Sequence, residues 1–183
     1  MLDMTSRLAV PVSARDHQEG PAVAPVTLVE YGDYECPNCG QAFPIVQAIR
    51  RDMGDQLRFV FRNFPLTQIH PYAEHAAEAA EAAGAQGKFW PYHDMLFLHQ
   101  DALTDSDLIG YAADLGLDVA RFTRDLEDGA FAERVREDFL SGVRSGVNGT
   151  PTFFINSYRY DGSYDYDTLL AALQEAAAQA TAG

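Results

Sequence analysis

The order of patterned segments predicts an α/β fold interrupted by a helical insertion. Three observations carry that expectation. A strand, a helix and a second strand follow one another between Val26 and Phe64. From Pro71 to about Gly146 the pattern is helical with no convincing strand. Two short aromatic strands and a closing helix then complete the chain.

Each element has its own reason. Residues 1–25 are punctuated by Pro11, Gly20, Pro21 and Pro25, which break any regular pattern, so they read as a loosely docked lead-in with a short edge strand near Leu8–Val12. Val26–Tyr31 is rich in β-branched and aromatic residues and reads as a strand. Gly32 to Glu35 breaks it and leads into Cys36-Pro37-Asn38-Cys39. Phe43, Val46, Ile49, Arg50 and Met53 then recur at helical spacing until Gly54 supplies a stop. Leu57–Phe64 is the next strand. Such a βαβ unit implies parallel neighbours with a right-handed crossover, and its first strand-to-helix turn is where open α/β sheets carry their chemistry.

The spacing predicts helices over Ala73–Ala83, Phe89–His99, Ser106–Leu115, Val119–Glu127 and Phe131–Ser145, with Gly84, Gly87, Gly116 and Gly129 between them. Asp101–Asp107 reads as a solvated loop with a helix cap at Ser106 or Thr104. Thr152–Asn156 and Tyr158–Tyr160 form a hairpin, and Tyr166–Ala178 the last helix. The alanine-rich end, Ala176–Gly183, is expected to fray. No internal repeat is present.

With 183 residues, 47% of them hydrophobic, the chain can build the core of one elaborated domain. Its 27 Asp+Glu against 13 Lys+Arg give a net charge of −14. An acidic surface repels phosphate, so nucleic acid and anionic membranes are poor partners. No apolar run reaches the ~18 residues a spanning helix needs, and the first twenty residues lack the basic and apolar regions of a secretory signal. The expectation is a cytoplasmic protein without a membrane partner. Lacking a long apolar edge, it is expected to be a monomer.

There are only two cysteines, and they are spaced C-x-x-C. One close pair in such a chain points to redox or metal chemistry rather than to a disulfide framework. A thiol attacks as thiolate, and a cysteine at a helix start has its anion favoured by unpaired N–H groups and the macrodipole. Pro37 suits the first turn, where its missing N–H costs nothing. Cys39, three positions on, shares a face with Cys36 and can resolve a mixed disulfide formed there. Cys36 is therefore the nucleophile and the more exposed of the two.

Two alternatives stay open on the residues alone. His70 and His75 would complete a zinc order, although residues 40–69 between the halves hold a complete helix and strand, far beyond finger spacing. Incidental core cysteines would be expected to have apolar flanks, whereas Asp33, Glu35, Pro37 and Asn38 are polar or turn-forming.

The stretches APVTLVEYGDYECPNCGQAFP, FRNFPL, HPYAEHAAEAAEAAGAQGKFWPYHDMLF and GVNGTPTFFIN together resemble the DsbA-like branch of the thioredoxin superfamily. The resemblance implies a thioredoxin fold in halves at 26–69 and 147–183, with an inserted α-helical domain at 70–146. It also implies dithiol–disulfide exchange with a protein or small-molecule disulfide or dithiol, and a redox partner to reset the pair. No dissociable cofactor and no metal are implied.

Three roles follow by position. Thr150-Pro151 matches the cis-proline loop that would bind an extended substrate strand beside Cys36. Glu30 matches the buried acid near the resolving cysteine and becomes a proton acceptor for Cys39; its alternative is a strand glutamate facing water. Pro37-Asn38 departs from the Pro-His of strongly oxidising members, so with Asp33 and Glu35 nearby the Cys36 thiolate should be less stabilised and the pair less oxidising. Two other functions compete: a glutathione-dependent isomerase or transferase of the same fold, and a non-enzymatic metal-binding or chaperone-like module. Phe89, Trp90, Tyr92, Phe97 and Tyr111 read as core of the insertion, and His70, His93 and His99 as caps or packing residues.

Overall fold

A computed structural model describes residues 2–183. The elements run β1 (Leu2–Arg7), β2 (His17–Glu19), β3 (Val26–Gly32), α1 (Pro37–Met53), β4 (Leu57–Asn63), α2 (Ala73–Gly84), α3 (Phe89–Leu98), α4 (Asp105–Asp114), α5 (Val119–Glu127), α6 (Ala132–Arg144), β5 (Thr152–Ile155), β6 (Tyr158–Tyr160) and α7 (Tyr166–Thr181). The mixed α/β class expected from the sequence is what forms. The chain divides into two compact units, one of Met1–Gly32, Gln41–Arg62 and Ser141–Gly183, the other of Asp33–Gly40 and Asn63–Leu140.

The first unit is built on a six-stranded sheet in the order β1-β6-β5-β3-β4-β2. Its inner strand β3 is buried at every position, as a strand covered on both faces must be, and so its apolar residues do not alternate with exposed polar ones; Thr27 and Glu30 are buried with them. Its neighbour β4 follows it through α1, which is the expected βαβ connection. On the other side β5 pairs antiparallel with β3, Tyr31 opposite Thr152 and Leu28 opposite Ile155. The helix α7 packs on β3 and buries Leu169 and Leu173.

The hairpin β5–β6 turns on Asn156 (φ 47) and Ser157 (φ 74). Two positive φ values in a two-residue loop match the twist of the flanking strands, and Asn tolerates that region better than most residues. Asn156 Oδ1 also accepts the Thr27 N–H at 2.9 Å, which fixes the turn against β3.

Three local expectations are corrected. The first strand is Leu2–Arg7, on the edge beside β6, not Leu8–Val12. Leu8 instead donates to Ser157 O at 2.9 Å and begins the departure from the sheet. Second, the lead-in is not loosely docked. The short strand β2 pairs with β4, and Arg62 fixes the segment before it. The Arg62 guanidinium donates to both Asp16 carboxylate oxygens (2.8 and 3.0 Å), to Val10 O (2.9 Å) and to Tyr31 Oη (2.9 Å). Third, α7 stays helical to Thr181, and Ala176 and Ala177 are buried. Ala176 and Ala177 pack against protein and hold the helix there, while Ala178, Ala180 and Ala182 are exposed.

The second unit is helical. The small residues of α2 allow α3, α4 and α5 to pack closely on it, and seven of its alanines are buried. The cap of α4 is Thr104, not Ser106: its hydroxyl accepts the Asp107 N–H while the Asp107 carboxylate accepts the Thr104 N–H, a reciprocal capping box. Asp118 caps α5 in the simpler one-way manner. Phe89, Tyr92 and Phe97 are core, as expected, while Tyr111 is half-buried and donates to Ala102 O at 2.6 Å.

Candidate active site

The two cysteines occupy defined positions at the start of α1. The Cys36 N–H donates to Asp33 O (3.1 Å), closing a turn, while Cys36 O accepts the Gly40 N–H (3.0 Å), the first bond of the helix. Cys36 is thus the N-cap, Pro37 the first helical residue and Cys39 the third. An N-cap side chain stands beside the N–H groups that open the helix. Pro37 and Asn38 are exposed. Cys36 is 4% exposed and Cys39 0%, so the order of accessibility is the expected one although both are largely covered.

The approach to Cys36 is held by side chains of the same unit. The buried Asp33 carboxylate accepts the Glu35 N–H (2.8 Å), the Leu66 N–H (2.9 Å) and pairs with His70 Nδ1 (2.8 Å). The Glu35 carboxylate accepts the Tyr72 N–H at 2.7 Å. Both acids expected to weigh on the thiolate are therefore engaged by donors, which offsets part of their field. Neither cap nor packing residue, His70 is the hydrogen-bond partner of Asp33 in the turn that presents Cys36. His75 lies elsewhere, paired with Asp105 at 2.8 Å.

Behind the turn, Tyr34 is 1% exposed, and its hydroxyl bonds His93 Nδ1 at 3.0 Å. Its ring packs on Phe97 at 4.9 Å and edge-on to His93 at 5.5 Å. His99, expected as a cap or packing residue, bonds Met95 O one turn back at 2.9 Å, stacks near Tyr111, and is exposed. Gln100 completes the frame: its Nε2 donates to Tyr34 O (2.8 Å) and to Cys36 O (2.9 Å). It lies 64 residues from Cys36 in sequence, in a loop with no motif of its own, so no local signal could have singled it out.

The remaining predicted residues belong to the first unit. Glu30 sits in β3, opposite Phe153, and is 3% exposed. A water-facing glutamate is thereby excluded. The Thr150–Pro151 peptide bond is cis. Both residues are half-buried, and Thr152, which follows, opens β5 opposite Tyr31 on the strand that leads to Cys36.

A cysteine at the cap of a long helix, a second one within the first turn of that helix, and a mixed sheet in the same chain define a protein of the thioredoxin class. The sequence pattern of the thioredoxin family matches residues 13–175, and the chain belongs to that family. Its fold matches a thioredoxin-like oxidoreductase from Silicibacter pomeroyi with a TM-score of 0.78, at 27% identity over 93% of this chain and 95% of that one. It also matches BdbD from Bacillus subtilis, with a TM-score of 0.80 at 24% identity over 94% of this chain and 98% of that one. Among curated proteins it is 53% identical over 170 residues to the Na(+)/H(+) antiporter NhaA 1 of Salinispora arenicola, covering 92% of this chain but 26% of that protein. The chain thus spans about a quarter of the length of the curated relatives it matches. Among the described residues, no helix is long and apolar enough to cross a membrane.

Proposed function

We propose that the chain is a dithiol–disulfide oxidoreductase acting through Cys36 and Cys39. The observation that carries this reading is the placement of Cys36 as the cap of α1 with Cys39 in its first turn. The Cys36 thiolate attacks one sulfur of a substrate disulfide, forming a mixed disulfide and expelling the other sulfur as thiolate. Cys39 gives up its proton and attacks the Cys36 sulfur, releasing the second substrate thiolate. The substrate gains two electrons and the protein ends as the Cys36–Cys39 disulfide. Run backwards, the same steps oxidise a dithiol.

Glu30 is the proton acceptor for Cys39 on this reading, supported by its burial in the strand that leads to the site. Thr150 and Pro151 receive the substrate backbone, supported by their position at the start of β5. Exposed Ile69, Tyr72 and Leu98, on segments tied to the Cys36 turn, offer apolar contact to a protein or small-molecule disulfide. No dissociable cofactor is needed. In a reducing cytoplasm the pair rests as dithiol and a thiol partner resets it.

The test is turnover of a disulfide substrate such as insulin. Cys36→Ser abolishes it, and Cys39→Ser accumulates the mixed disulfide. Activity that survives Cys39→Ser but requires glutathione would point to the isomerase or transferase reading instead. Stoichiometric zinc or copper without exchange activity would point to a metal-binding module. Because Pro37-Asn38 supplies no cation, the reduction potential lies below the about −120 mV of the most oxidising members; a titration at that value would refute this.

The antiporters that contain a matching stretch support a second reading, in which this domain works beside an antiporter. Sodium–proton exchange that follows the redox state of the Cys36–Cys39 pair would support it, and exchange indifferent to that state would remove it.

A further inference from the structure

The geometry points to Gln100 as a positioning residue for Cys36, with Gly40 conserving the space that its amide occupies. This goes beyond the proposed function and rests on it only in taking Cys36 as the reacting thiol. The Gln100 Nε2 group spends both protons on the carbonyls that flank the Cys36 residue's own approach, Tyr34 O at 2.8 Å and Cys36 O at 2.9 Å. Its other amide atom lies over the helix. A Cβ built on Gly40 would meet Gln100 Oε1 at 2.0 Å and Cδ at 2.7 Å. The amide orientation is fixed by chemistry, because the reversed group would set oxygen against two carbonyl oxygens.

Cys36 O also accepts the Gly40 N–H at 3.0 Å. Two donors therefore converge on the carbonyl of the capping residue, one from the helix and one from Gln100. Through Tyr34 O and Cys36 O, Gln100 ties the Tyr34–Glu35 peptide plane to the Cys36–Pro37 plane that opens the helix. That orientation sets the direction of the peptide dipoles that open the helix, and it is the positive end of those dipoles that stabilises an anion at the cap position. A side chain that fixes this geometry lowers the thiol pKa without touching sulfur. Glycine at position 40 is required by contact and not by backbone: it lies within α1, where alanine is ordinarily the better residue.

The test is a double-variant cycle with a titration that needs no turnover. The Cys36 pKa is read from the pH dependence of its alkylation rate, in a Cys39→Ser background. Gln100→Ala raises it by about half a unit to one unit, the scale of a helix-terminus field acting on a partly buried ion. Gln100→Met keeps bulk over Gly40 but donates nothing, and raises it likewise.

Stability supplies the second arm. Gly40→Ala lowers the denaturation midpoint when Gln100 is present and raises it in the Gln100→Ala protein, where helix propensity alone decides. An unchanged pKa in both Gln100 variants, or the same sign for Gly40→Ala in both backgrounds, overturns the inference. Should the wild-type protein show no exchange activity, the proposed function falls while this coupling stands or fails on its own readings.

Discussion

At the residue scale, Asp33 shows how much can hang on one carboxylate. It accepts two backbone N–H groups and pairs with His70, while its own C=O accepts the Cys36 N–H. Asp33→Asn would turn an amide N–H₂ towards groups that already donate. The expected cost is about 1–3 kcal/mol, the scale for leaving a buried hydrogen-bonding group unsatisfied, and urea denaturation measures it. Arg62 and Asp16 make the same argument for the lead-in, since Arg62 is 2% exposed and the pair is bidentate. Asp16→Ala should cost about 3–5 kcal/mol, and the joint replacement Arg62→Met with Asp16→Leu should recover much of it. A joint replacement as unstable as the single one would show that the backbone bonds to Val10, not the charges, matter. Both acids were visible in the sequence. Their partners were not, because a charge says nothing of which distant donor will face it.

At the element scale, periodicity located the helices of the insertion to within a residue, since apolar spacing records which face meets the core, while the last helix runs three residues past its expected end. What periodicity could not show is the burial of acids within α2. Glu78 is 6% exposed and, like Glu81 one turn on, sits among the buried alanines of the helix; its burial, reinforced by Glu74 and Asp105 against the opposing effect of His75, pushes the carboxyl above its ordinary value. An acid whose folded pKa is raised binds more protons folded than unfolded. Stability is then full below the ordinary value of 4.5 and falls as pH rises through the folded value. Glu78→Gln should flatten that decline and leave the variant more stable than wild type at neutral pH, as thermal midpoints against pH will show. His75 acts in the same direction at higher pH: Asp105 raises its pKa, so its contribution is present below 6.5 and is lost as pH climbs past the raised value. A midpoint that rises with pH over this range would contradict both. The helix α1 carries a similar lesson, since Pro44 inside it leaves the Gly40 carbonyl without its helical donor.

For the molecule as a whole, a net charge of −14 on 183 residues means that like charges oppose compaction. Screening acts over about 10 Å at about 0.1 M salt. Stability to urea should therefore rise from low to moderate sodium chloride, and a fall would mean that specific ion pairs outweigh the general repulsion. The class of fold, the family and the cysteine pair at a helix start were determined by the sequence alone, because they are recorded in local pattern: apolar spacing, a turn, and C-x-x-C. Only the tertiary structure decided that Arg62 clasps the lead-in, that His70 answers Asp33, and that Gln100 stands over Gly40. Those contacts join residues far apart along the chain, and a chain fixes such pairings only once burial has made each unpaired polar group costly.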